Sequence, residues 1–319
     1  VSKLKNKRDQ IPALPGIYKM LDASGRIIYV GKSKCLKKRV NSYFTKALKH
    51  SKIEKMVFLI ADIEYDVTDT HLEARLLECQ LIKEIKPYFN AQMKNDRNYF
   101  YLKVSNTGRP PILSTVSERA ADSFGPFRGK QVMQSLIDAL THLYPIVFHD
   151  SSYDFEYHAL PLTMNSEAFR ANQNSLRQLF SVDSCMQGFI QQVTQRMEQA
   201  AAQFNYERAA FYRDLIKKLT YISHLLHDYK RLATSELVLK IPVREGEKLF
   251  FISKGQIVLK KYFPTLTQAQ IDIFIAEASG LTAVAPPDWD EKTAVDFLNI
   301  LFSEIQSLPE AWIVKDWPN

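Results

Sequence analysis

Two short stretches near the start of the chain, GIYKML at 16–21 and RIIYV at 26–30, read as strands. Between them Asp22-Ala23-Ser24-Gly25 supplies the chemistry of a tight turn. Leu36, Val40 and Phe44 then share one face of a short basic helix over 34–44. A second helix is expected over 50–60 and a third strand over 62–68. The clearest helix covers 70–86, where Leu72, Leu76, Leu77, Leu81 and Ile85 recur at a period near 3.6 and Pro87 ends the run. Strands over 99–104 and 112–117 and a helix over 129–143 follow. Residues 148–175 are polar and weakly patterned and read as a linker or irregular subdomain. A helical hairpin spans 187–226, turning at Gln203-Phe204-Asn205-Tyr206. Beyond 232, three runs (ELVLKIPV, EKLFFISK, QIVLKKYF) are β-like, with turns at Glu245-Gly246 and Lys254-Gly255. Helices over 267–279 and 290–306, separated by Pro286-Pro287, complete an α+β chain.

Composition narrows the class. The chain has 319 residues, 46% hydrophobic and 24% charged, an ordinary balance for a soluble globular protein. No apolar run approaches the ~20 residues that a membrane helix needs. The opening VSKLKNKRDQ has no apolar core and does not read as a secretory signal; with no initiator Met, a processed chain or part of a longer one is expected. Cys35, Cys79 and Cys185 are far apart and make no C-x-x-C pair, and no H-E-x-x-H occurs. This argues against zinc-finger, thiol-redox and disulfide frameworks; reduced thiols and a cytoplasmic location are expected. Charge is uneven. Residues 1–55 hold 15 Lys+Arg against 3 Asp+Glu, a net of +12 where the whole chain carries +7, so the remainder is net −5. A basic module on a mildly acidic body suits a polyanion partner at the N-terminal end.

The candidate chemistry sits in that module. Gly16-Ile17-Tyr18 and Tyr29-Val30-Gly31 are followed by Lys32, Arg39, Tyr43, Glu73 and Asn90. Together with LEARLLECQLIKEIKPYFN and KNDRNYFYLKV, this order resembles the GIY-YIG nucleases, with YVG in place of YIG, and specifically the UvrC-like members that incise damaged DNA in bacterial nucleotide excision repair. The resemblance implies a nuclease domain over 8–105, with Tyr18, Tyr29, Lys32, Arg39, Tyr43, Glu73 and Asn90 in its site. Glu73 is expected to anchor Mg²⁺ or Mn²⁺, a hard cation that takes oxygen ligands and keeps most of its waters. Thr70-x-x-Glu73 is also a capping box, which would make Glu73 a purely structural residue. One of Tyr18 and Tyr29 would relay a proton from the attacking water; which one stays open. Arg39 would stabilise charge on phosphorus, and Tyr43 and Asn90 would orient the site. Lys34, Lys37, Lys38 and Arg97 are assigned to DNA backbone phosphates.

RMEQAAAQFNYERAAFYRDLIKKL, within 187–226, resembles the UVR motif, which implies a UvrB-like partner held through Phe204, Tyr206 and Arg213. The connecting region 106–186 lacks the cysteine cluster of UvrC-like chains, so no iron–sulfur cluster is expected. No second nuclease centre is legible in the α+β segment 232–319, whose role is not readable; the resemblance is therefore to a shortened, Cho-type nuclease making one incision, on the 3′ side of a lesion by analogy. A non-catalytic adaptor and a stand-alone nuclease for branched DNA are the alternatives. The basic module gives the first testable expectation. Binding to duplex DNA should weaken by roughly 0.9 log units per phosphate contact for each tenfold rise in salt; a flat titration would remove the electrostatic argument.

Overall fold

In the computed structural model, residues 2–45, 51–91, 93, 99–107, 111–281 and 291–315 are described. Arg97 and the Pro286-Pro287 connection lie outside them. The chain divides into two units, one built from residues up to 96 together with those from 232 onward, the other from 97–231.

The first unit begins with helix α1 (Ser2–Gln10) and the hairpin β1 (Gly16–Leu21) and β2 (Ile27–Ser33). Asp22 makes the turn by accepting the Ser24 and Arg26 backbone N–H groups, while Gly25 takes the positive φ of 80°. Helices α2 (Leu36–Ser42) and α3 (Ser51–Leu59) and strand β3 (Asp62–Val67) come next. The antiparallel sheet has the order β2-β1-β3, so β2 lies at an edge. Helix α4 (His71–Ile85) starts on the capping box of Thr70 and Glu73 and stops where Lys86 turns left-handed, one residue before Pro87. Tyr18, Met20, Leu36, Val40 and Ile63 fill the core beneath the sheet.

The second unit holds the sheet β5-β4-β6, made of β4 (Phe100–Val104), β5 (Leu113–Val116) and β6 (Ser123–Phe127). Strand 99–104, expected in the nuclease module, thus belongs here, because its hydrogen-bonding partners do. Helix α5 (Lys130–Thr141), the small hairpin β7 (Val147–His149) and β8 (Ser152–Asp154), and helices α6 (Ser166–Ser181), α7 (Asp183–Ala202) and α8 (Tyr206–Ser223) complete it. Helix α6 corrects the reading of 148–175 as linker. Its inward face carries Asn172, Gln173 and Ser175 among Phe169, Leu176 and Leu179, which breaks the apolar period. Each buried polar group has a partner that needs it: Asn172 Oδ1 accepts the Ile146 N–H, Ser175 Oγ accepts the Phe148 N–H, and Gln173 donates to the Ser105 carbonyl. The α7–α8 pair packs Phe189, Val193, Tyr212, Leu215 and Leu219 into the core.

The chain then returns to the first unit through α9 (Tyr229–Thr234), the strands β9 (Glu236–Val243), β10 (Gly246–Ser253) and β11 (Gln256–Phe263), helices α10 (Gln268–Ser279) and α11 (Glu291–Ile305), and the short β12 (Ile313–Lys315). The sheet order is β11-β10-β9-β12. One apolar core combines Leu72 and Cys79 of α4 with Leu237, Leu239, Phe250 and Ile252 of this sheet and Phe297, Ile300 and Leu301 of α11. The buried polar face of α6 yields a prediction. Asn172→Ala strands the Ile146 N–H and should lower unfolding free energy by about 1–3 kcal/mol in urea titration; an unchanged midpoint would mean that water replaces the amide.

Candidate active site

The site is assembled on strand β2. Its free edge presents the backbone groups of residues 28, 30 and 32, since alternate residues of an edge strand face outward. Each of these positions is paired by a residue much further along the sequence. The Phe89 N–H donates to the Ile28 carbonyl at 3.0 Å. Asn90 mimics a strand residue, accepting the Val30 N–H at 3.0 Å and donating to the Val30 carbonyl at 2.9 Å. The Lys32 N–H donates to Glu78 Oε1 at 3.1 Å, and the Lys32 ammonium donates to Glu78 Oε2 at 2.6 Å. Asn90 is therefore the lock on the edge of β2.

Three tyrosines lie together, with ring centroids 6.0–6.1 Å apart. The β1–β2 register sets Tyr18 opposite Gly31, and a Cβ at Gly31 would overlap the Tyr18 hydroxyl. That close approach is why the second strand needs glycine there. The Tyr18 and Tyr43 hydroxyls are 2.9 Å apart, and Tyr43 donates to the Tyr29 hydroxyl at 3.4 Å. A phenol has one proton, so with Tyr43 donating to Tyr29, Tyr18 must donate to Tyr43. Burial pushes the Tyr18 and Tyr29 hydroxyls well above the usual phenol range, and their tyrosine neighbours push the same way. Both are neutral near pH 7. The Arg39 guanidinium lies over the Tyr43 ring at 5.0 Å. On α2 and the turn before it, Lys34, Lys37, Lys38 and Arg39 are exposed while Leu36 and Val40 point inward; Lys37 also donates to the Asp9 carbonyl.

Glu73 is not in this cluster. It lies five residues from Glu78 on α4, about 140° around the helix, so the two carboxylates face different surroundings. Glu73 closes the capping box through Oε2, which accepts the Thr70 N–H and hydroxyl at 3.3 and 3.2 Å. Its Oε1 accepts Lys248 at 2.8 Å and Lys260 at 2.7 Å. Burial alone would raise its pKa; the two ammonium groups outweigh that and hold it below the ordinary carboxylate value. A carboxylate has about four lone-pair positions. Those of Glu73 are all taken, whereas Glu78 uses one on each oxygen. Glu78 can thus accept a hard cation and Glu73 cannot without losing its partners. The structure places Glu73 in the capping box and against two lysines, and it brings Glu78, a residue the sequence reading did not single out, onto Lys32. The signal for Glu78 was present: Ala74, Glu78 and Ile82 share one helix face, where an acid interrupts an otherwise apolar, buried line.

In the second unit, Phe204 and Tyr206 at the α7–α8 turn are 77% and 66% exposed. Arg213 is also exposed and pairs with Asp214 at 3.0 Å.

Comparison with known proteins matches two segments of the chain. Residues 14–91 match the UvrC-like GIY-YIG domain, and residues 187–222 match the UvrB/uvrC motif. UvrABC system protein C of Alkaliphilus oremlandii is 32% identical over 286 residues, 82% of this chain and 45% of that protein. The Symbiobacterium thermophilum protein of the same name is 32% identical over 96% of this chain and 50% of its own length. The magnesium-bound GIY-YIG N-terminal endonuclease domain of UvrC from Thermotoga maritima is 31% identical, covering 28% of this chain and 99% of that domain, with a TM-score of 0.27. The chain spans about half the length of the curated relatives it matches. With the tyrosine cluster, the GIY and YVG strands and the paired Lys32 and Glu78 all inside the matched segment, the chain is UvrC-like, carrying a UvrC-like GIY-YIG domain and a UvrB/uvrC motif.

Proposed function

We propose that this chain is a metal-dependent DNA endonuclease that makes a UvrC-like incision in damaged DNA, with Glu78 rather than Glu73 as the anchor for Mg²⁺ or Mn²⁺. The observation that carries this reading is the buried Glu78 carboxylate, paired to Lys32 on both oxygens yet with lone pairs to spare. It is the carboxylate whose charge reaches Tyr29. A divalent cation suits one carboxylate plus waters. Among the described residues no cluster of three or more acidic, His or Cys side chains competes for it. When bound, the cation would supply charge for a developing anion on phosphorus and acidify its water.

The chain's own residues account for the remaining tasks. Arg39 and the exposed Lys34, Lys37 and Lys38 hold phosphate oxygens, the guanidinium also stabilising transition-state charge. Tyr29 ends the hydrogen-bonded chain from Tyr18 through Tyr43, so its own proton points away from that chain. This supports Tyr29 as the relay that takes a proton from water while Tyr18 and Tyr43 hold its ring. The positive charge of Arg39 acts on the Tyr29 phenol in the lowering direction, and a cation held by Glu78 would add to it. Glu78→Gln should abolish incision and divalent-cation binding yet keep DNA affinity within about threefold, because the phosphate contacts remain. An active mutant with Mg²⁺ would remove Glu78 from this role.

The hairpin is proposed to bind a UvrB-like helical partner. Phe204 adopts a left-handed φ of 57°, a conformation that costs a residue with a side chain roughly 1–2 kcal/mol. Its ring, for all that, is largely exposed. A strained, exposed aromatic is retained more readily for a contact than for stability. Phe204→Gly should therefore leave thermal stability equal or higher while weakening partner binding at least about tenfold, the scale of losing one buried aromatic anchor. A pull-down unchanged by that substitution would assign the hairpin to internal packing.

A further inference from the structure

The outer face of α4 is held by a segment for which the nuclease reading has no use. Leu72 and Cys79 enter the core of the C-terminal sheet and α11. Ion pairs line the same helix. Glu73 meets Lys248 and Lys260; Lys248 also meets Asp69 at 2.6 Å; Arg75 meets Glu304 at 2.6 Å, with His71 3.4 Å from the same carboxylate; and Lys83 meets Asp296 at 2.8 Å. The side chains of Glu73, Lys248 and Glu304 are each 10% exposed and that of Asp296 is 1% exposed. The ties run from residue 73 to residue 83, about 15 Å of helix. They therefore restrain both the axial position and the rotation of α4.

We infer that residues 232–281 and 291–315 are a clamp that positions α4, and through it Glu78, with Glu73 and Lys248 as its central positioning residues. The inference rests on Glu78 as the metal anchor. A 10° rotation of a helix moves a side-chain tip at its surface by about 1 Å, and misplacement of that size can cost on the order of a hundredfold in rate. Apolar packing alone tolerates small slips; a buried ion pair does not, because a slipped pair leaves an uncompensated charge. Lys248 and Lys260 lie on the face of α4 turned about 140° from Glu78, so they steady the helix without competing for the cation.

The test uses the full chain with Lys248→Met, Lys248→Arg, Glu73→Gln and Glu78→Gln. Nicking kinetics, Mn²⁺ titration calorimetry and hydrogen exchange over 71–85 are the readouts. For Lys248→Met and Glu73→Gln, kcat should fall about 10–100-fold with KM for DNA within about twofold, because the loss is one of geometry at the reacting centre. Mn²⁺ should bind about 5–10-fold more weakly and 71–85 should exchange faster, whereas Lys248→Arg, keeping the charge, should restore all three to within about threefold. Wild-type Mn²⁺ affinity and exchange in Lys248→Met would overturn the clamp. So would tighter Mn²⁺ binding with faster nicking, which would make the lysines an inhibitory cover. Should Lys248→Met fail to fold, Lys260→Met, at a half-exposed position, must shift the same readouts in the same direction or the clamp is wrong. Undiminished Mn²⁺ binding by Glu78→Gln would defeat the metal-anchor reading separately, leaving the exchange result over 71–85 to judge the clamp.

Discussion

The pairing of Lys32 with Glu78 joins an edge strand to a helix, and the local architecture depends on it. An edge strand has backbone groups that must find partners. Here the last of these, the Lys32 N–H, is satisfied by a side chain from α4. The same carboxylate takes the Lys32 ammonium. One acidic residue thus terminates the sheet, neutralises a half-buried cation and retains lone pairs on both oxygens. Residues 89 and 90 complete the edge only because α4 ends where it does, at the left-handed Lys86 and Pro87. The length of α4 is therefore as much a part of the site as any side chain in it.

The tyrosine cluster shows the complementary constraint. Three phenols within hydrogen-bonding reach can share protons only in one direction at a time, and burial keeps all but the terminal one from water. Gly31 makes room for this arrangement by having no side chain above the Tyr18 ring. The conspicuous YVG triplet is thus a packing requirement as well as a signature.

Much of this was legible in the sequence. The turn at Asp22–Gly25, the period of α4 and the three strands after 232 follow from local chemistry and emerge nearly at the expected boundaries. The tyrosines of β1 and β2 and Tyr43 after α2 lie together, as their order in the chain suggested. What could not be read was angular. Glu73 and Glu78 share one helix, and only the face that meets β2 distinguishes them; the spacing from Thr70 pointed to a cap at Glu73, and the metal role was given to it by the family resemblance, which carries no helix face. Helix α6 escaped notice because buried Asn172, Gln173 and Ser175 satisfy backbone groups of distant segments, which no local pattern reveals. The return of residues 232–315 to the first unit was equally hidden, since partners of Glu73 lie 175 and 187 positions further along the chain.

That separation has a consequence for synthesis. A ribosome releases α4 long before β10 and β11, so the helix must wait, with Leu72 and Cys79 uncovered, while the whole of 97–231 is made and folds. At about 5–20 residues per second the wait is on the order of ten seconds or more. During that interval the N-terminal segment exposes an apolar stripe flanked by Glu73, Arg75 and Lys83, whose later partners do not yet exist. These charges at the margins of the stripe keep the nascent helix soluble before they are paired, and the same charges later select the one docking that leaves none of them alone.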